Sequence, residues 1–397
     1  MNSPIVTSFP YLQNFETGEG NWYASGVKST WEYGKPVSPL INRAASGSKA
    51  WKTSLFGNYN DGELSYLYSP CFDISGMTGP TLSFSLALDI EDCKASLCDA
   101  AYMEYSADGK NWLRLGAVGA GTNWYNKNYS GSQLWGIESY TRWHVATIPL
   151  PTGFSRLRLR FVMNSDAYVS REGIAVDDIH IYDKQFGIYN GPPYTSAAIT
   201  QAVVNGNNWI DFTTGGKIVA SINPSGQDLG STTAQAFIHT GTIRTSSSQY
   251  YHNRNITIKP TQTVLPDSAV IRFYFTDEET ELLLNAAGCG LCAKPASAYE
   301  LGVSKYDNTN KALENGSLAD NLGGDWTFIS NAIKVPYDNG YYAEFRAKDF
   351  SEFWLNNGGP NNNVALPVEL VSFTAGKQTN NDVKIDWVTA SEINSAY

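Results

Sequence analysis

The stretch Gly173-Ile-Ala-Val-Asp-Asp-Ile-His-Ile181 constrains this chain more than any other. Its composition is that of a buried strand, broken by two adjacent carboxylates. Ile174, Val176 and Ile181 require a core, whereas Asp177 and Asp178 do not. Successive side chains of a strand point to opposite faces, so the spacing predicts that the two carboxylates diverge. At least one then turns toward the interior or a rim, where a bare carboxylate is costly. It needs a cation, an arginine or several N–H donors. Satisfaction by backbone amides alone is the plainest of these outcomes.

The 397 residues exceed one ordinary core and predict two or three domains. Short runs rich in Tyr, Phe, Val, Ile and Thr, separated by Gly, Asn, Asp and Ser, predict an all-β protein. The formal net charge of −10 argues against a nucleic-acid backbone as partner and is compatible with divalent cations. No stretch is long enough to span a bilayer.

Of five cysteines, Cys93 and Cys98 lie close together, as do Cys289 and Cys292. Two local disulfides, and hence an oxidising extracellular setting, are the reading. A zinc site is disfavoured because one pair alone has the two-residue spacer and no histidine lies beside either. Cys71 is left over as a buried thiol. Met1 opens no basic or apolar leader; it is expected to stand in place of a removed signal. Ser395-Ala-Tyr397 ends the chain as a new strand pattern begins, which is expected of a piece of a longer protein.

The first segment spans 1–183. Leu82, Phe84, Leu86 and Leu88 alternate with Ser83, Ser85 and Ala87, and Arg156–Phe161 alternates Arg with Leu or Phe. Both patterns predict half-buried antiparallel strands, the second with an exposed basic face. Asp108-Gly109 predicts a hairpin turn. Seven of the eleven Trp fall in this segment, which reads as a two-sheet jelly roll.

Four strings then appear in order: Asn14-Phe15-Glu16 with Trp22, Ser46-Gly-Ser-Lys-Ala-Trp51, Leu67-Tyr-Ser-Pro70, and Gly173-Ile-Ala-Val-Asp-Asp-Ile179. Together they resemble a MAM-type jelly roll of extracellular adhesion and receptor proteins. No cysteines pair near Phe15 or Trp22 as in animal MAM domains, so the resemblance is nearer to MAM-like domains of large secreted bacterial proteins. It implies that the Phe-Glu strand lies beside the Asp-Asp-Ile strand with a calcium ion between them. That names Glu16 and Asp178 as ligands, with Asp177 as substitute. Asn60, Asp61 and Glu63 are candidates to complete the oxygen shell.

After the connector 182–193, residues 194–358 read as a second β-sandwich. Its one short helix is announced by the capping box Thr276-Asp-Glu-Glu279. Asn356–Asn363 reads as a linker. Residues 366–397 resemble the start of a fibronectin-like module through Leu366-Pro-Val-Glu-Leu370 and Thr389-Ala-Ser-Glu-Ile-Asn394. Such a module commonly precedes the C-terminal sorting domain of type IX secretion substrates. This implies a partner in that secretion machinery, engaged through a C-terminal domain outside the sequence, and a secreted or surface-displayed protein.

Four histidines, with no His-Glu-x-x-His and no Gly-x-Ser-x-Gly, give no frame for hydrolysis. Asp92 and Asp99 flank a disulfide loop and read as solvated. The expectation is a non-catalytic adhesion or interaction region with a structural calcium and a surface glycan or protein ligand. The alternative is a carbohydrate-binding accessory region of a secreted hydrolase whose catalytic domain lies elsewhere. Trp124, Tyr125 and Trp135, in a Gly-, Asn- and Ser-rich stretch, are the expected ligand-binding aromatics.

Overall fold

The computed structural model describes residues 4–94, 96–136, 140–246, 248–321, 323–358, 370–377 and 383–389. Four six-stranded sheets form two sandwiches in tandem. In the outer sheet of the first sandwich, Leu64–Asp73 and Arg156–Asn164 are central. Ala100–Ser106 and Leu113–Arg114 extend it on one side, Ile5–Val6 and Tyr23–Val27 on the other. In the inner sheet, Gly173–Asp183 lies between Pro80–Asp89 and Ala50–Thr53, with Tyr140–Pro149 and Trp31–Gly34 at the edges. Tyr11–Gln13 pairs with the far end of Gly173–Asp183. The two sheets enclose Trp22, Phe84, Phe161, Ile174, Val176, Ile179 and Ile181.

The second sandwich starts inside the segment expected to be a connector. Gly187–Ile188 pairs in parallel with Lys217–Ile218. That sheet continues through Lys217–Asn223, Val264–Thr276, Gly340–Asp349 and Ile333–Tyr337. The opposing sheet runs from Ile199–Gln201 through Thr232–Ile238, Arg254–Pro260, Glu352–Asn356 and Gly302–Asp307 to Asp325–Ile329. The helix Asp277–Leu284 carries the expected capping box: the Glu279 amide donates to the Thr276 hydroxyl at 3.2 Å, and the Thr276 amide to Glu279 at 3.0 Å. Cys93–Cys98 and Cys289–Cys292 are disulfide-bonded, and Cys71 is free and buried.

Two strands differ from their sequence patterns for one reason each. Pro80–Asp89 is buried along all ten residues rather than on one face, because the second sandwich covers its outer side. There the Ser85 hydroxyl meets the Tyr299 hydroxyl at 2.6 Å. Arg156–Asn164 presents a basic face that is open only at Arg156, because aromatic rings flank Arg158 and Arg160. Beyond residue 358, Leu370–Lys377 and Val383–Thr389 pair as an antiparallel hairpin. The rest of 366–397, and all but the start of the linker 356–363, lie outside the described residues.

Candidate functional site

Strand Gly173–Asp183 separates the first core from the junction between sandwiches. Ile174 and Val176 point into the core, and so do Ile179 and Ile181. The phase slips by one residue between the two pairs. Pairing with Pro80–Asp89 shifts register between Asp177 and His180, and Asp178 sits at φ +49°. This β-bulge turns both carboxylates outward, toward Ser46, and overturns the expected divergence. Asp177 accepts from the amides of Ala45, Ser46 and Asp178 at 3.0, 3.2 and 2.8 Å. Asp178 Oδ1 accepts from the Ser46 hydroxyl at 2.7 Å.

The bulge borders a cleft of about 600 Å³ whose walls include Glu16, Ser46, Asp178, Tyr299 and Lys334. Glu16 accepts from the Ser48 and Lys49 amides at 2.9 and 2.8 Å. Asp178 Oδ2 is buried without a hydrogen bond. Burial raises the Asp177 carboxyl well above its ordinary range, and the charge of Asp178 adds to the rise. Burial also pushes Asp178 up to about 7, against the pull of the Ser46 hydroxyl. Lys334 donates to the carbonyls of Leu301 and Ala332 and is pushed down to about 8 by burial.

Of the six expected metal ligands, Glu16 and Asp178 share this cleft. Asp177 lies beside it, but amides already hold its carboxylate. Asn60, Asp61 and Glu63 do not join them. Glu63 is fully buried elsewhere, accepting from the Thr30 amide and hydroxyl and the Asn60 amide. It acts as the anchor of its own loop. Asp61 contributes its backbone carbonyl to Lys28 at 2.7 Å.

The expected ligand-binding aromatics are core residues. Trp124 and Trp135 are 1% exposed and Tyr125 is 4% exposed. Their stretch folds inward because the polar ring atoms find backbone partners there. Trp124 donates to Leu115 at 2.9 Å, Trp135 to Asn123 at 3.0 Å, and the Tyr125 hydroxyl bonds Met103. The three rings pack edge-on or tilted on one another, which leaves no face for a ligand. Asp99 is buried rather than solvated, bonded to the Tyr59 hydroxyl and the Asp166 amide, and burial raises it to about 6. Asp92 pairs with Lys127 at 3.0 Å.

The half-exposed aromatic surface is elsewhere, on the outside of the outer sheet. Strand registers place Tyr23, Tyr68, Arg160, Glu104 and Arg114 in one row across it. Tyr23 stacks on Tyr68 at 5.2 Å, and Trp112 meets Tyr68 edge-on at 5.5 Å. Arg160 lies 4.2 Å from both the Tyr66 and Trp112 ring centres, and Arg114 lies 3.2 Å from that of Tyr102. The sequence predicted the basic strand Arg156–Phe161 of this face and passed over its aromatic residues. Their signal was present, since Tyr66 and Tyr68 alternate with Leu67 as Arg158 and Arg160 do with Leu159.

No known family profile matches the chain. Bacillopeptidase F of Bacillus subtilis (strain 168) is 30% identical over 186 residues, 46% of this chain, and the match spans 11% of that protein's length. Among solved structures, the K1 cleaved adhesin domain of Lys-gingipain from Porphyromonas gingivalis W83 overlaps 45% of this chain and 99% of its own, at 17% identity and TM-score 0.27. TmCBM61, solved in complex with beta-1,4-galactotriose, overlaps 45% of this chain and all of its own, at 16% identity and TM-score 0.28. These overlaps are too loose to transfer a role, so function must be read from the residues.

Proposed function

We propose that the chain is a non-catalytic, extracellular binding region of the adhesion type, whose MAM-like first sandwich holds a glycan on its outer sheet. One observation carries this reading: the row of half-exposed rings formed by Tyr23, Tyr66, Tyr68 and Trp112. Flat aromatic faces at a wet surface offer large contact area to the C–H face of a sugar ring at little conformational cost. Two disulfides suit an oxidising compartment. His144, His180 and His252 are buried, and burial pushes them down to about 4, 3 and 4, which does not suit proton transfer at neutral pH. Export by type IX secretion belongs to the same proposal and rests on the strings within 366–397.

Calcium is proposed on Glu16 and Asp178. The orphaned Asp178 oxygen fits a hard cation, whereas Asp177 has no free oxygen to offer. A bound ion would neutralise Asp178 and tie the strand ending at Gln13 to the bulge.

The test of glycan binding is an array probed with the wild type and with Tyr68→Ala/Trp112→Ala. Retention of one glycan class, weakened at least tenfold in the double variant, is expected. A blank array, or binding that the double variant leaves intact, would overturn the reading.

A further inference from the structure

The aromatic row is interleaved with arginine, and that sets the chemistry of what it can hold. Arg114, Arg156, Arg158 and Arg160 all lie on the strands of this sheet. Arg160 is ion-paired to Glu104. Arg158 donates to the Ser69 carbonyl at 2.9 Å and the Tyr23 hydroxyl at 2.7 Å, both neutral. Arg114 donates to the Gln133 carbonyl at 2.7 Å and otherwise rests on Tyr102. Arg156 is exposed and stands opposite Asp73 in the strand register. Among the described residues, none of Arg114, Arg156 and Arg158 is in an ion pair. Each guanidinium has five N–H donors, so unused ones remain, open to solvent at exposed Arg156 and half-buried Arg114 and largely enclosed at Arg158, which is 8% exposed. A chain of net charge −10 thus gathers a surplus of positive charge on this half-exposed aromatic face. Rings that orient arginines leave their forks matched to carboxylate or sulfate oxygens.

We infer that this face takes an acidic polysaccharide, one whose sugar units carry carboxylate or sulfate. The inference rests on the glycan-binding role proposed above. Neighbouring strands are about 4.8 Å apart, so the five-strand row spans about 19 Å, room for a short run of sugar units. Ring surface left free by the guanidiniums of Arg158 and Arg160 would stack on sugar faces while Arg114 and Arg156 pair with the acidic groups. A neutral glycan would use the rings and leave the arginines idle.

The experiment is affinity electrophoresis of the whole chain against polygalacturonate, chondroitin sulfate, and polygalacturonate converted to its methyl ester, which keeps the ring and removes the charge. Retention by at least one acidic polymer is expected, tenfold weaker at 500 than at 50 mM NaCl. It should fall at least tenfold in Arg114→Gln/Arg156→Gln and be unchanged in Arg346→Gln, which removes a charge from the second sandwich. Melting curves should show all variants folded. Retention by the methyl ester equal to that by the acid, or by neutral galactan and mannan only, would overturn the inference and leave glycan binding standing. Acid binding that the double arginine variant leaves intact would place the acid site elsewhere and overturn it too. No retention by any polymer, neutral or acidic, would overturn both.

Discussion

At Asp178, in the wall of the cleft, a carboxyl group is buried with one oxygen unserved. Such a group is neutral or charged according to what else reaches it. Burial raises its pKa to about 7, so between about pH 4 and 7 the folded chain holds a proton that the unfolded chain has released. The folded-state advantage is complete below about pH 4 and is lost as pH rises through 7. Calcium would reverse this by favouring the ionised form. Millimolar calcium is therefore expected to raise the melting temperature at pH 8 relative to EDTA and to do little at pH 5. At ten times Kd the gain would be about 1.4 kcal/mol. Asp178→Asn should abolish the calcium response and, in EDTA at pH 8, melt above the wild type. Calcium-insensitive melting at pH 8 would leave the bulge as a purely protein-held feature. Asp277 gives the same sign without a metal. It is buried, raised to about 7, and touched by Asn123 at 3.2 Å. Asp277→Asn should flatten part of the decline in stability between pH 5 and 8, measured by denaturant melts across that range. An unchanged slope would mean that this carboxyl is not one of the groups responsible.

Among the elements, the bulged strand and the tryptophan loop show where sequence patterns were legible and where they failed. The helix cap at Thr276, the two disulfides and the strand content could be read because each is a local arrangement fixed by near neighbours. The bulge was legible too, in the slip from Ile174 and Val176 to Ile179 and Ile181, but strict alternation hid it. The polar faces of Pro80–Asp89 and Gly173–Asp183 read as solvent-facing or metal-bound because their cover comes from residues more than 100 positions away, such as Tyr299 and Pro336. Trp124 and Trp135 misled because a Gly-rich surround suggests an open loop, whereas carbonyls at Leu115 and Asn123 draw their indole N–H groups inside. Trp124→Ala is accordingly expected to cost about 3–5 kcal/mol of stability as a core truncation. Its effect on glycan binding should vanish under conditions where the variant is fully folded. A variant as stable as the wild type but unable to bind would return this ring to the ligand surface.

Across the whole molecule, the two sandwiches share a buried face and not merely a connector. His180 bonds the Pro336 carbonyl at 2.7 Å and stacks on Tyr182, which stacks in turn on Tyr337. The Tyr182 hydroxyl accepts from the Asp338 amide at 2.8 Å. Val145, from the first sandwich, packs into the core of the second. Arg142 to Glu281 and Arg43 to Glu300 add ion pairs at the margin, the second of them well exposed and worth little. Without its neighbour, the inner sheet would present Val145, Tyr182 and Ser85 to water while keeping Asp177 and Asp178 on the same face. Neither sandwich is therefore expected to melt alone. Calorimetry of residues 1–397 should show a single transition for both sandwiches. Tyr299→Ala removes the side chain that reaches from the second sandwich to Ser85, and it should lower that transition as a whole. Two separated transitions in the wild type, with only the second moved by Tyr299→Ala, would mean that the junction is a contact of convenience. The outer sheet would then owe nothing to the second sandwich. A single transition would instead make that sandwich the brace behind the inner sheet, so that the outer sheet and its aromatic face melt only together with it.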